Sequence, residues 1–150
     1  MKDNKSITYS PLDQLNLRLI IGLYRTHSRI NRSTLRLLSS YNLTIAQFGV
    51  LESLYHLGPM RIGDIIDKTL STSGNMTVVI KNLEKDGWIN RCTDPEDKRA
   101  FLVTITDKGT DLIATIFPEH IKDLARLLAG LSEGEKKEFL ALMKKLNGLG

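Results

Sequence analysis

Three histidines, His27, His56 and His120, and a single cysteine, Cys92, are the side chains of this 150-residue chain best suited to metal or nucleophilic chemistry. Their spacing argues against both. No two histidines stand at the i, i+4 interval that aims two ring nitrogens from one helix face at a shared ion, so no metal site is expected. A nucleophile needs a base within hydrogen-bond reach. The sequence places none beside Cys92, which lies among β-formers and reads as a small strand residue. With no phosphate-cradling glycine loop either, the chain is expected to be no enzyme and to need no cofactor.

The chemistry that remains is recognition. The run STSGNMTVVIKNLEKDGW, residues 71–88, opens with the short donors and acceptors Ser71, Thr72, Ser73, Asn75 and Thr77, and Gly74 removes bulk among them. At about 100° per residue, Met76, Val79, Ile80 and Leu83 fall on one apolar stripe, with Gly74, Val78, Lys81 and Lys85 opposite. The outward side is thus slim at its start and basic toward its end. Such a helix suits the major groove of double-stranded DNA, where the residues of its first half read base edges. The short polar groups hydrogen-bond, Val78 meets a thymine methyl, the lysines reach phosphates, and the unpaired amides of the first turn add an anion site. Each feature alone also has an ordinary structural reading, since Ser and Thr cap helices and a lone surface valine is common.

The elements that would position this helix follow from periodicity and turn chemistry. From Pro11 to about Ser39, apolar residues at 12, 15, 19, 23 and 30 keep helical spacing while Leu17, Ile20 and Ile21 open a second apolar side, so that helix needs more than one neighbour. Thr44 with Gln47 forms a capping box ahead of Ile45, Phe48, Leu51 and Leu54, and Gly58-Pro59 ends the helix. Ile62, Ile65 and Ile66 mark a short helix that stops near Thr69. After the 71–88 run, WINRCT and FLVTIT read as strands joined by the polar turn DPEDKRA. Thr106 or Asp107 starts a further helix in which Pro118 predicts a kink. Ser132 with Glu135 caps the last helix, through Phe139, Leu140, Met143 and Leu146.

Composition narrows the class. With 41% hydrophobic and 25% charged residues the chain has the make-up of a folded domain. No apolar run approaches the roughly 18 residues of a membrane span, residues 1–10 are too polar for a signal peptide, and one cysteine fits a reducing compartment. A cytoplasmic protein without membrane contact is expected. The formal charge of +4 favours anionic partners weakly, but residues 1–40 carry seven basic and two acidic side chains, so the excess sits there. Arg25, Arg29, Arg32 and Arg36 form a stripe along one helix side, either a solvated face or a contact for phosphates.

Three short helices followed by a hairpin is the order of a winged helix-turn-helix. The expected fold is mainly α (α+β) with a two-stranded wing. Residues 41–106 form its DNA-binding domain, and residues 1–40 and 107–150 form a helical dimerisation region on which a second copy packs. The stretch 61–109, with STSGNMT, NLEKDGWI, an Asp-Pro-x-Asp-x-Arg turn and LVTITDKG in that order, resembles the MarR family of winged helix-turn-helix transcription regulators. The resemblance implies a sequence-specific DNA-binding regulator, a homodimeric repressor on a pseudo-palindromic operator, released by a small phenolic or lipophilic effector. It also implies that Asp97 and Arg99 form a wing pair, Arg99 entering the minor groove and Asp97 holding the wing or a neighbouring arginine, with Lys98 near phosphate. Asp94 and Glu96 should then point away from DNA. Tyr24, His27, Tyr55 and His56 are the candidates for the effector site, and His27 also reads as a hydrogen-bonded core histidine. The alternative from a different class is a winged-helix module that binds protein without specific DNA binding, since residues 71–106 carry no net charge.

Overall fold

The structure is a computed structural model that describes residues 9–69 and 73–149. Helix α1, Pro11–Ser39, starts at a Ser10 cap with Pro11 in its first turn, and Asp13 closes a capping box. Helix α2, Ile45–Leu57, uses the Thr44–Gln47 box and ends at Gly58. A two-residue strand β1, Met60–Arg61, leads into α3, Ile62–Thr69, and then α4, Ser73–Lys85. Strands β2, Ile89–Thr93, and β3, Phe101–Ile105, make the wing, followed by α5, Asp107–Leu127, and α6, Glu133–Leu146, the latter capped by Ser132 and Glu135.

The sheet has three strands, not the two expected, in the antiparallel order β1-β3-β2. Met60 lies opposite Val103 and Arg61 opposite Leu102, while β2 pairs with β3 from Ile89–Ile105 to Thr93–Phe101. A strand of two residues is too short for alternation to announce it. Helix α5 continues without a break through Pro118, the residue at which a kink is expected. Pro118 and Ala114, whose carbonyl a residue at 118 would bond, are both exposed, so water can reach the group left over.

One apolar core holds these elements. Phe48, Val50, Leu51 and Leu54 of α2 meet Met76, Val79, Ile80 and Leu83 of α4, with Ile65, Ile89 and Val103 closing the sides. Leu38 from the last turn of α1 and Ile113 and Ile116 from α5 belong to the same cluster. The first half of α1 and all of α6 contribute nothing to it. There Leu19 is 59% exposed and Leu146 69%, and the two helices line an apolar cleft of about 510 Å³ with Leu23, Phe139 and Leu142.

The end of α4 is joined to the start of α5 by a compact set of bonds. Thr106 donates its N–H to the Trp88 carbonyl (3.1 Å) and its hydroxyl to the Gly87 carbonyl (2.8 Å), while its Oγ1 accepts from Gly109 N–H and caps α5. Lys108 Nζ donates to the Asp86 carbonyl at 2.7 Å and lies 5.7 Å from the centre of the Trp88 ring. Gly109 is needed for the approach: a Cβ there would stand 2.3 Å from the Trp88 oxygen. The sequence runs KDGW and TDKG are therefore two halves of one joint.

Candidate nucleic-acid interface

Helix α4 separates its sides as periodicity predicts. Met76, Val79, Ile80 and Leu83 are buried, and Asn75, Thr77, Val78, Lys81 and Lys85 are exposed, Val78 at 56%. Ser71 and Thr72 lie outside the described residues, and of Ser73 and Gly74 only the helical backbone is described. The helix is tied to the wing by a two-bond fork: Arg91 on β2 donates from Nε to Glu84 Oε1 (3.1 Å) and from Nη2 to Oε2 (2.5 Å). That hydrogen bonding lowers the pKa of Glu84 and raises that of Arg91.

At the wing tip, Asp97 Oδ1 accepts the Arg99 backbone N–H at 3.0 Å, and Ala100 N–H bonds the Asp97 carbonyl at 2.8 Å. Of its two expected roles, Asp97 thus holds the wing backbone. Lys98 and Arg99 are exposed, and among the described residues neither has a carboxylate partner. Asp94 turns inward, buried and paired with Arg61, and Glu96 with Asp94, Pro95 and Pro59 lines a hollow of about 590 Å³ beside that pair. The Glu96 N–H first and the Arg61 guanidinium second hold the Asp94 carboxyl below the usual range. Neither Arg61 nor Arg91 stands out in the sequence, because their partners lie 33 and 7 residues away and meet them only once the strands pair.

The four effector candidates fall into two places. Tyr24 and His27 are exposed on α1, where His27 Nε2 lies 3.2 Å from Asn31 Nδ2. His27 is hydrogen-bonded but is no core residue, since the apolar stripe it interrupts faces away from the chain's own core. Tyr55 and His56 end α2, their rings 5.0 Å apart, and the His56 ring lies 4.5 Å from Phe117 of α5. Phe117 in turn neighbours His120, which packs on Phe48 at 5.1 Å and is buried, its Nδ1 without a hydrogen-bond partner among the described residues. Phe117 and His120 were missed by sequence reasoning, for which they were one apolar residue of a helix and one scattered histidine. Cys92 is exposed, its Sγ 3.8 Å from the Leu102 carbonyl. Among the described residues, no three His, Cys, Asp or Glu side chains gather as a metal site, and no helix is long and apolar enough to cross a membrane.

A family model described as MarR matches residues 43–101, the segment from the end of the α1–α2 turn to the start of β3. The HTH-type transcriptional regulator YkoM of Bacillus subtilis is 36% identical over 129 residues, covering 83% of this chain and 84% of its own. The chain belongs to the MarR family. Bacillus subtilis MhqR, another HTH-type transcriptional regulator, is 33% identical over 135 residues, 90% of this chain and 93% of its own. Among solved MarR-like folds, Bordetella bronchiseptica BpsR, whose DNA binding is regulated by 6-hydroxynicotinic acid, superposes with a TM-score of 0.78 at 25% identity, covering 87% of this chain and 98% of its own. A mutant MarR from E. coli complexed with operator DNA shares the fold, with a TM-score of 0.76 at 24% identity over 91% of this chain and 99% of its own. The fold is accordingly the mainly α winged helix-turn-helix of that family.

Proposed function

We propose that this DNA-binding transcriptional regulator acts as a homodimer on a pseudo-palindromic operator, represses from it, and is released by a small phenolic or lipophilic effector. One observation carries the reading: α4 projects Asn75, Thr77 and Val78 away from its buried stripe with Lys81 and Lys85 behind them, on the same small unit as a wing ending in exposed Lys98 and Arg99. In this reading Ser71, Thr72 and the start of α4, from Ser73 through Val78, meet the major groove, Lys81 reaches the backbone, and Arg99 enters the minor groove from a wing held by Asp97, with Lys98 at a phosphate. No catalytic step is assigned, and the protein works in the cytoplasm, where its operator is.

Residues 41–106 then serve as the DNA-binding unit and residues 1–40 and 107–150 as the dimerisation region. Fully burying one leucine is worth about 1.5–3 kcal/mol, and α1 and α6 leave a row of them in water in the single chain. A second copy is the commonest cover for such a surface. The effector would enter where α2 meets α5, beside Tyr55 and His56, while Tyr24 and His27, exposed on α1, make up the second candidate place. BpsR, regulated by an aromatic hydroxy acid, supports that chemical class.

Selection from random duplexes, followed by titration in rising salt, tests the reading. A palindromic consensus is expected, with affinity falling at a log-log slope of about −0.9 per phosphate neutralised. A selection that converges on no sequence, together with a flat slope, would put the protein-binding module in its place.

A further inference from the structure

We propose that Arg61 is a positioning residue for the wing, acting through Asp94 to fix where Arg99 is presented to DNA. The inference rests on the operator-binding reading and adds a residue outside the surface that reading brings to the duplex. Arg61 stands on β1 and Asp94 directly follows β2, so the two flank the middle strand β3 from opposite sides. The guanidinium reaches across: Nε donates to Asp94 Oδ2 at 2.7 Å and Nη2 lies 2.6 Å from the same oxygen. The Asp94 side chain is only 6% exposed.

From Asp94 the bonds continue along the wing. Its Oδ1 accepts the Glu96 N–H at 2.9 Å, and its own N–H donates to the Ala100 carbonyl at 3.0 Å, closing the base of the turn. Within that closed turn Asp97 holds the Arg99 N–H. The backbone that carries Arg99 is therefore referred, bond by bond, to a cation on β1. Removing Arg61 leaves the buried Asp94 carboxylate without its cation, and the cheapest relief is for that side chain to turn to water, which frees the Glu96 N–H and loosens the turn. The damage stays local, because residues 94–100 take no part in the apolar core. Arg61 is itself 45% exposed, so the pair contributes little to global stability. A guanidinium also fits the site better than an ammonium, since two of its nitrogens address one oxygen from a rigid plane.

The test uses the full-length protein and its selected operator. In Arg61→Ala, amide hydrogen exchange in the free protein should quicken at Glu96 and Arg99 and stay unchanged along α4. Operator affinity should fall about tenfold, the scale of one lost base or phosphate contact, with the melting temperature nearly constant. Asp94→Asn should reproduce both effects, and Arg61→Lys should recover part of the affinity. In an Arg99→Ala background, adding Arg61→Ala should cost little more, because both act at one point. Unchanged exchange in the wing, fully additive losses, or a salt slope lowered by about 1, the mark of a direct phosphate contact, would each overturn the proposal. Should Arg99→Ala alone leave affinity intact, the minor-groove reading is what fails, while the exchange measurement still decides the role of Arg61.

Discussion

Alanine at Gly109 tests the joint between α4 and α5. The glycine lies in the first turn of a helix, so propensity alone favours alanine by about 0.5–1 kcal/mol. The structure reverses the sign. The added Cβ would stand 2.3 Å from the Trp88 carbonyl oxygen and 2.8 Å from Ile105 Cγ1. The isoleucine can rotate, but the carbonyl is pinned by Thr106 N–H, and the neighbouring Gly87 carbonyl by the Thr106 hydroxyl. Restoring ordinary contact requires α5 to retreat by roughly 1 Å, an overpacking that costs about 1–3 kcal/mol, and it stretches both Thr106 bonds as well. A net loss of about 2 kcal/mol is expected, which for a chain of this size lowers the melting temperature by roughly 4–8 °C. Thermal unfolding followed by circular dichroism, at equal protomer concentration because a dimer's midpoint depends on it, measures the shift. Gly63→Ala, in the first turn of α3 where a Cβ meets nothing within 4 Å, should show the propensity gain alone, about 0.5–1 kcal/mol. A Gly109→Ala protein that melts at or above the wild-type temperature would refute a rigid joint.

Val78→Ala should change the preferred base at one operator position, whereas Lys85→Ala should weaken every duplex alike and lower the salt slope by about 1; competition with single-base operator variants separates the two, and uniform weakening by both removes base reading from α4. Leu142→Asp places a charge in the cleft between α1 and α6 and should give a monomer in sedimentation at micromolar concentration, a persistent dimer locating the interface elsewhere. His120→Phe removes a buried nitrogen that has no partner among the described residues, so urea unfolding should show equal stability or a gain of about 1 kcal/mol; a clear loss means that nitrogen is satisfied in solution. Asp94 and Glu84 have folded-state pKa values below their ordinary ones, so their stabilisation is present above the unfolded values and lost as pH falls through the folded ones. Both pairs are partly exposed, so the decline they add to the wild-type melting temperature below about pH 4 should be small, and a steeper decline in a protein carrying Asp94→Asn and Glu84→Gln would contradict the direction of the two shifts.

What the sequence disclosed was what short-range chemistry decides. The Thr44–Gln47 and Ser132–Glu135 boxes act across three residues, so the starts of α2 and α6 were readable to the residue. The stripe of α4 was readable because Met76, Val79, Ile80 and Leu83 repeat with the period of the helix itself. Closure in three dimensions decided the rest. Strand β1 exists only because Met60 and Arg61 find β3 from 41 or more residues away in the chain. The Arg61–Asp94 pair, on which the wing's pose depends, follows from that pairing. His27 shows the opposite failure: its place in an apolar stripe was plain, but no local rule says whether a stripe faces the chain's own interior or leaves it.

The shared core has a consequence for how a signal could travel. Because Leu38, Ile113 and Ile116 sit in the same cluster as the inner side of α4, the reading head is not a separate body swinging from a loose tether. A molecule wedged between α2 and α5 has to deform the packing that keeps the protein folded. Responsiveness and heat resistance then draw on the same contacts, and variants selected to answer weaker effectors should melt earlier.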